Sequence, residues 1–574
     1  MKIRAFFKLV IVVVFFIIAY AVCNLAPYYV DTTYYKDDEL RLVINGSEYT
    51  KSTTFPLIKN YKNNSGDSGD SGETKKQNKP DIPFMIEGKV MISMKTIKEC
   101  FDKYIYFDEK YQTVIVAKGT DVVKMPLGEK TIVVNSSEKT ISVPAQYIDD
   151  NIYIPIEELK SIYNLEITVN EKIIITTNDT EYYKVKVDNE IKLKKFKRQY
   201  CKTIDVIEAG ETIDIFDKYE EKSGDLYLWV RAANGSLGYV KKDDIVEVEN
   251  TYVNNEETTP TTRKISLIWE YAANYTPNRN GQSKHKGMSI VSPTWIYVSD
   301  ENGKLKNTID NSYIEWAKSV GYEIWPTIKN DLIGIKKTST ILNDMNLRQT
   351  FIDNVVSLAK RYKFKGINLD FENMYMKDRD AFAQLVRELS CTLRANGIIS
   401  SVDVNVPDGS ENWSLCYDSK AISDATDYTI LMAYDQHGSS SKIAGSVASL
   451  DWVELNLQKM IERDGIDKTK LVLGVPFYSR FWRVRNGAVV STSSMTMKTA
   501  KSYMEKYKNS TEWVEESGQY VVRYKDKNDD IEIWVENEDS LKEKLKLISK
   551  YELAGFAAWR WGFENEETWS LIGK

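Results

Sequence analysis

Histidine and cysteine are almost missing from this sequence: 574 residues hold two histidines, His285 and His437, and five cysteines. The cysteines (Cys23, Cys100, Cys201, Cys391 and Cys416) are scattered, with no CxxC pair among them. That excludes a disulfide framework and a Cys/His metal site, and it leaves a Ser-His-Asp triad almost no material. No metal or other cofactor is expected. Positive charge is not in excess either, since 77 Lys+Arg face 83 Asp+Glu for a net charge of −6. The chain therefore has no electrostatic footprint for nucleic acid. Carboxylates remain as the catalysts to look for.

What is present is length enough for two to four domains, with 42% hydrophobic residues to fill their cores. Tyrosine (36) and tryptophan (13) are plentiful, and flat aromatic faces suit sugar rings as well as core packing. Lys2, Arg4 and Lys8 precede an apolar run from Leu9 to Ala21, the layout of an export signal within residues 1–30. Ala19-Tyr20-Ala21 fits a cleavage site, and the run is also nearly long enough for a signal anchor in the membrane. Either way the chain is expected to act outside the cytoplasm, secreted or anchored at the cell surface. Cys23 follows Val22 rather than a small residue, which favours an incidental cysteine over a lipidated one.

Residues 62–81 repeat Gly-Asp-Ser and lack apolar anchors, so they read as a flexible loop. Residues 83–180 alternate in short strand-like runs such as Lys89–Ser93, Gln112–Val116 and Lys172–Thr176. With Phe107-Asp-Glu-Lys-Tyr-Gln-Thr-Val-Ile-Val and Asn151-Ile-Tyr-Ile-Pro-Ile-Glu-Glu-Leu, the stretch 38–180 resembles the stalk domain named after copper amine oxidases. That resemblance implies a mostly β spacer or wall-binding module, and the segment has no histidine for copper. Residues 187–249, with Trp229 and Gly238-Tyr-Val240, resemble a bacterial SH3-like barrel. In that family the module often binds cell-wall peptides, although Trp229 and Tyr239 suit a core equally well. The polar, Thr-rich stretch within 250–263 reads as a linker.

From Lys264 onward, apolar strand-like runs alternate with longer amphipathic stretches, the pattern of a parallel sheet wrapped by helices. Eight such runs can be counted: 265–269, 289–295, 322–328, 366–372, 399–405, 428–434, 471–477 and 555–559. Residues 264–574 thus predict a (β/α)8 TIM barrel, with a small α+β insertion at about 483–535. Polar residues gather where the runs end: Glu270, Asn330, Asp370, Glu372, Asp403, Asn405, Tyr434, Asp435 and Trp559. Barrel enzymes build their sites at that end. Alternation puts Asn368, Asp370 and Glu372 on one strand face. Two crowded carboxylates raise each other's proton affinity, which suits Glu372 to general-acid work.

Gly366-Ile-Asn-Leu-Asp-Phe-Glu372 resembles the fourth-strand signature of glycoside hydrolase family 18, which includes chitinases and peptidoglycan N-acetylglucosaminidases. Met432-Ala-Tyr-Asp435, Gly474-Val-Pro-Phe-Tyr-Ser-Arg480 and Trp559 resemble its sixth, seventh and eighth strands. The resemblance implies that the substrate's own acetamido oxygen is the nucleophile, so that one protein acid suffices. Glu372 would protonate the glycosidic oxygen with retention of configuration. Asp370 would orient the acetamido group, Tyr434 would hydrogen-bond its carbonyl, and Asp435 and Trp559 would hold the sugar. Asn405 is a further candidate for substrate contact; Glu270 and Arg480 suit a surface role as well. Chitinases usually carry Asp at the place of Asn368, and its loss removes a charge relay. Asn there resembles the branch of spore cortex-lytic enzymes of Gram-positive spore formers, which favours peptidoglycan over chitin. The alternatives are a chitinase acting on chitin oligomers and a wall- or sugar-binding protein without activity.

Overall fold

The structure is a computed structural model that describes Val14 and residues 41–49, 83–148, 150–169, 172–177, 180, 182–195, 203–216, 227–245 and 263–572. Outside those residues lie the export signal apart from Val14, the 62–81 loop, and the linker apart from Arg263. No helix among the described residues is long and apolar enough to cross a membrane.

The chain divides into two compact units. One consists of residues 1–105, 127–131 and 140–258. Its described part is mostly β, with two four-stranded sheets and one of six strands, Tyr183–Lys186 to Leu237–Lys241. The six-stranded sheet encloses a core of Val185, Leu193, Ile213, Val230 and Val240. Trp229 packs against Tyr239, with ring centroids 4.8 Å apart, and its indole N–H donates to the Gly46 carbonyl at 3.1 Å. Both residues that could have marked a peptide-binding face thus take part in packing.

The second unit consists of residues 106–126, 132–139 and 259–574. Eight strands form a barrel: β1 (Ile265–Glu270), β2 (Ile290–Pro293, resumed at Ile296–Val298), β3 (Glu323–Ile324, resumed at Thr327–Lys329), β4 (Gly366–Asp370), β5 (Ile399–Asn405), β6 (Tyr428–Met432), β7 (Leu471–Pro476) and β8 (Gly555–Trp559). Every neighbouring pair is parallel, and β8 pairs back onto β1, Ile265 beside Gly555, so the sheet closes. Each of the eight apolar runs in the sequence is one of these strands. Outward-facing Ile367, Leu369 and Phe371 meet Phe351, Phe382 and Leu385 of the surrounding helices α1 (Met345–Tyr362) and α2 (Arg379–Ala395). Inward-facing Leu267, Trp269, Ile430 and Val472 form a separate apolar plug inside the barrel.

Two features differ from the sequence reading. Between β7 and β8 lies a five-stranded antiparallel sheet with the helix Met497–Lys506, and its first strand starts at Tyr478 rather than at 483. Only Phe477 separates that strand from β7, which is why its onset left no break in the pattern. The five-stranded sheet from Tyr106–Asp108 to Ser137–Thr140, read as part of a 38–180 stalk, packs almost wholly with the barrel. Arg348 on α1 is fully buried between Asp108 of that sheet (3.4 Å) and Glu388 on α2 (3.1 Å). Lys124 reaches Glu388 at 3.4 Å, and Arg387 donates to the Ala117 carbonyl at 2.9 Å. A charged seam has no hydrophobic period, so the sequence pattern does not display it.

Candidate active site

Charged side chains gather toward the ends of β3, β4 and β5: Lys329, then Asp370 with Glu372, then Asp403. Alternation along β4 turns Asn368 and Asp370 inward, with Glu372 just past the strand end. Asn368 is fully buried and saturated: its Oδ1 accepts the Trp269 indole N–H at 2.9 Å, and its Nδ2 donates to Asp403 Oδ1 at 2.7 Å and Ser401 at 3.1 Å. It therefore braces three strands rather than facing a ligand.

Glu372 is clamped through its backbone. Asn330 accepts its N–H at 3.0 Å and donates to its carbonyl at 2.7 Å, while Tyr417 donates to the Phe371 carbonyl at 2.8 Å. Its carboxylate has one long contact, from Asn405 Nδ2 at 3.4 Å. Burial and then the charge of Asp370 push the Glu372 carboxyl from an ordinary 4.5 up to about 8, against the pull of Lys329. Glu372 is thus an acid at neutral pH. Asp370 lies 3.6 Å from the Lys329 ammonium, and burial raises its carboxyl in spite of that cation. Lys329 also stands 5.9 Å over the Trp559 ring.

Aromatic side chains line the rest. Trp269 meets Tyr434 and Trp559 edge-on, at 6.4 Å and 6.1 Å. Burial first, then Asp403, holds the Tyr434 phenol well above its usual range, so it stays protonated as a donor. Asp435 is half exposed and has a left-handed backbone (φ 60°); its Oδ1 accepts the Tyr478 hydroxyl at 2.6 Å and Arg480 at 3.2 Å. Arg480 is therefore no surface residue. Glu270 is not at the surface either: it is buried and held by Arg279 Nε and Nη2, each at 2.9 Å. Among the described residues no group of three His, Cys, Asp or Glu side chains is arranged to hold a metal ion.

The structure brings Asn368, Asp370, Glu372, Asn405, Tyr434 and Trp559 to one end of the barrel, with Asp435 at the rim. Sequence reasoning missed Lys329 altogether and left Asp403 as one polar strand end among many. The signal for both was the same alternation that located Asp370, since Thr327 with Lys329 and Ser401 with Asp403 repeat it on the flanking strands.

Residues 332–564 match the model of glycosyl hydrolases family 18, and residues 73–199 that of the copper amine oxidase N-terminal domain. Residues 332–564 of the barrel are thus a glycosyl hydrolases family 18 domain. This family 18 domain is a glycosidase, and the relatives agree. The uncharacterized glycosylase YvbX of Bacillus subtilis (strain 168) is 28% identical over 315 residues, 53% of this chain and 90% of that protein. The cortical fragment-lytic enzyme of the same organism is 24% identical over 240 residues, 40% of this chain and 54% of the relative. The chain thus spans about half the length of that relative. Among solved structures, the spore cortex-lytic enzyme SleL of Bacillus megaterium QM B1551 superposes with a TM-score of 0.48 at 20% identity, over 59% of this chain and 78% of the other.

Proposed function

We propose that the protein is a retaining glycosidase that hydrolyses β-1,4 linkages of N-acetylglucosamine in cell-wall peptidoglycan, acting outside the cytoplasm. The observation that carries this reading is the placement of Glu372, buried at the end of β4 next to Asp370, which itself lies 3.6 Å from the Lys329 ammonium; burial and then Asp370 push the Glu372 carboxyl up to about 8. An acid with its midpoint at about 8 delivers a proton at neutral pH, and the neighbouring charge can stabilise a developing cation.

In the first step Glu372 gives its proton to the glycosidic oxygen. The acetamido oxygen of the substrate attacks the anomeric carbon as that bond breaks, so no second protein nucleophile is needed. Asp370 accepts the acetamido N–H, Tyr434 donates to the acetamido oxygen, and the Trp559 ring lies under the sugar. Glu372, now a carboxylate, then takes a proton from the water that opens the cyclic intermediate. Two inversions give net retention. Asp435, held by Tyr478 and Arg480, is placed to bind a sugar hydroxyl at the rim.

The cortical fragment-lytic relatives favour the bacterial wall as the polymer. Incubation of the full-length protein with peptidoglycan and with chitin oligomers, read by new reducing ends, tests the reading. Product from peptidoglycan with the wild type and none with Glu372→Gln supports it. Product from chitin alone moves the substrate to chitin. Product from neither leaves sugar binding without hydrolysis, and equal product from the variant overturns Glu372 as the acid.

A further inference from the structure

Two buried carboxyl oxygens in this site have no hydrogen-bond partner, Asp370 Oδ1 and Asp403 Oδ2. An unpaired buried carboxylate oxygen is costly, and two of them on adjacent strands call for a common explanation. The register supplies the geometry. Lys329 on β3 pairs with Asp370 on one side, and on the other Leu369 pairs with Val402, so the next step sets Asp370 beside Asp403 on β5. Each carboxyl has its other oxygen occupied: Asp370 Oδ2 faces Lys329 at 3.6 Å, and Asp403 Oδ1 accepts from Asn368 at 2.7 Å. Each of these two neighbouring carboxyls is left with one unpartnered oxygen.

We propose that Asp403 is the positioning residue for Asp370: the two carboxyls share one proton across their otherwise unpartnered oxygens. It rests on the reading of Asp370 as the acetamido partner. In the resting site the shared proton leaves one negative charge, which Lys329 balances. When the acetamido N–H arrives, the proton stays with Asp403 and Asp370 becomes a full acceptor. Asn368, next to both, cannot release a proton; of the two carboxyls it donates to Asp403.

The charges around the pair agree. Asp403 is held well above the carboxylate range by burial first and then by the charge of Asp370, with Glu372 adding to it and Asn368 and Lys329 opposing. Lys329 on β3, Glu372 beyond β4, Tyr417 beyond β5 and Tyr434 beyond β6 are the other titratable groups that act on the pair. The arrangement also explains how the chain works with Asn at 368: the carboxyl that could exchange a proton with Asp370 stands on β5 instead of β4.

Carbon-13 NMR of the full-length protein with labelled aspartate carboxyls reads the proton directly. Sharing predicts that Asp370 and Asp403, assigned by Asp370→Asn and Asp403→Asn, titrate as a coupled pair. It further predicts that Asp403→Asn lowers the Asp370 midpoint by more than about one unit. In kinetics on the substrate that the wild type cleaves, Asp403→Asn lowers kcat by about 10- to 100-fold with KM within about threefold and moves the acid limb downward. Adding Asn368→Asp, which returns a carboxyl to the neighbourhood of Asp370, restores kcat to within about fivefold. An Asp370 midpoint unmoved by Asp403→Asn overturns the proposal, as does a double variant no better than the single one. If the wild type cleaves nothing, hydrolysis as the function falls, and the NMR titration still decides whether the proton is shared.

Discussion

Glu372 holds its proton because the fold removes it from water and sets a second carboxylate beside it, and both effects carry a stability cost. In the folded protein its carboxyl stays protonated up to about 8, whereas in the unfolded chain it ionises near 4.5. Between those values the folded state binds more protons than the unfolded one, so its stability falls as pH rises through that window. Glu372→Gln removes the liability while keeping the shape. We expect this variant to lose about 10³-fold or more in kcat and to melt a few degrees above the wild type at about pH 8.5, with a smaller gain at about pH 5. Calorimetry at both pH values checks the sign. In the active wild type, kcat is expected to fall above about 8 as Glu372 loses its proton. Asn330→Ala is expected to lower kcat by about 10- to 100-fold with little change in KM, since it frees both ends of the Glu372 backbone. The residues that carry named chemistry were legible in the sequence because they sit in one strand with period two. Lys329, Asp403 and Asn330 were not singled out: alternation marks Lys329 and Asp403 as facing the same way as Asp370, but which polar strand ends meet is adjacency across strands, which a linear pattern does not contain.

Among the elements, β8 is decisive because it closes the barrel. Gly555 has φ of 139°, and a Cβ there would lie 1.8 Å from the Ile265 carbonyl oxygen of β1. No side-chain rearrangement relieves a backbone collision, so Gly555→Ala is expected to yield insoluble protein or to lower the melting temperature by more than about 10 °C. Gly366 plays the corresponding part at the start of β4, where a Cβ would meet the Trp325 ring at 2.7 Å. The eight strands could be read from their apolar runs because a barrel buries its strands on both faces. The broken strands β2 and β3 were still recognised, since the apolar run continues across Pro293 and Pro326 even where pairing is interrupted. Boundaries were less legible: only Phe477 lies between β7 and the first strand of the insertion.

For the molecule as a whole, the sheet from Tyr106 to Lys139 is part of the catalytic unit, although its sequence resembles a spacer. Arg348 has no exposure, with Asp108 and Glu388 as its acidic partners. Arg348→Leu is expected to cost about 3 kcal/mol or more in urea unfolding of the full-length protein, because both acids lose a buried partner. A chain cut down to residues 263–574 would lack Asp108 and Lys124, and it is expected to unfold at lower urea than the full chain. The configuration of the first product tests acetamido participation most directly. Proton NMR of the reducing end released by the full-length protein from peptidoglycan glycan strands, recorded before mutarotation, is predicted to show the β anomer, with no release by Glu372→Gln. An α anomer as the first product would contradict acetamido participation with Glu372 as the lone acid.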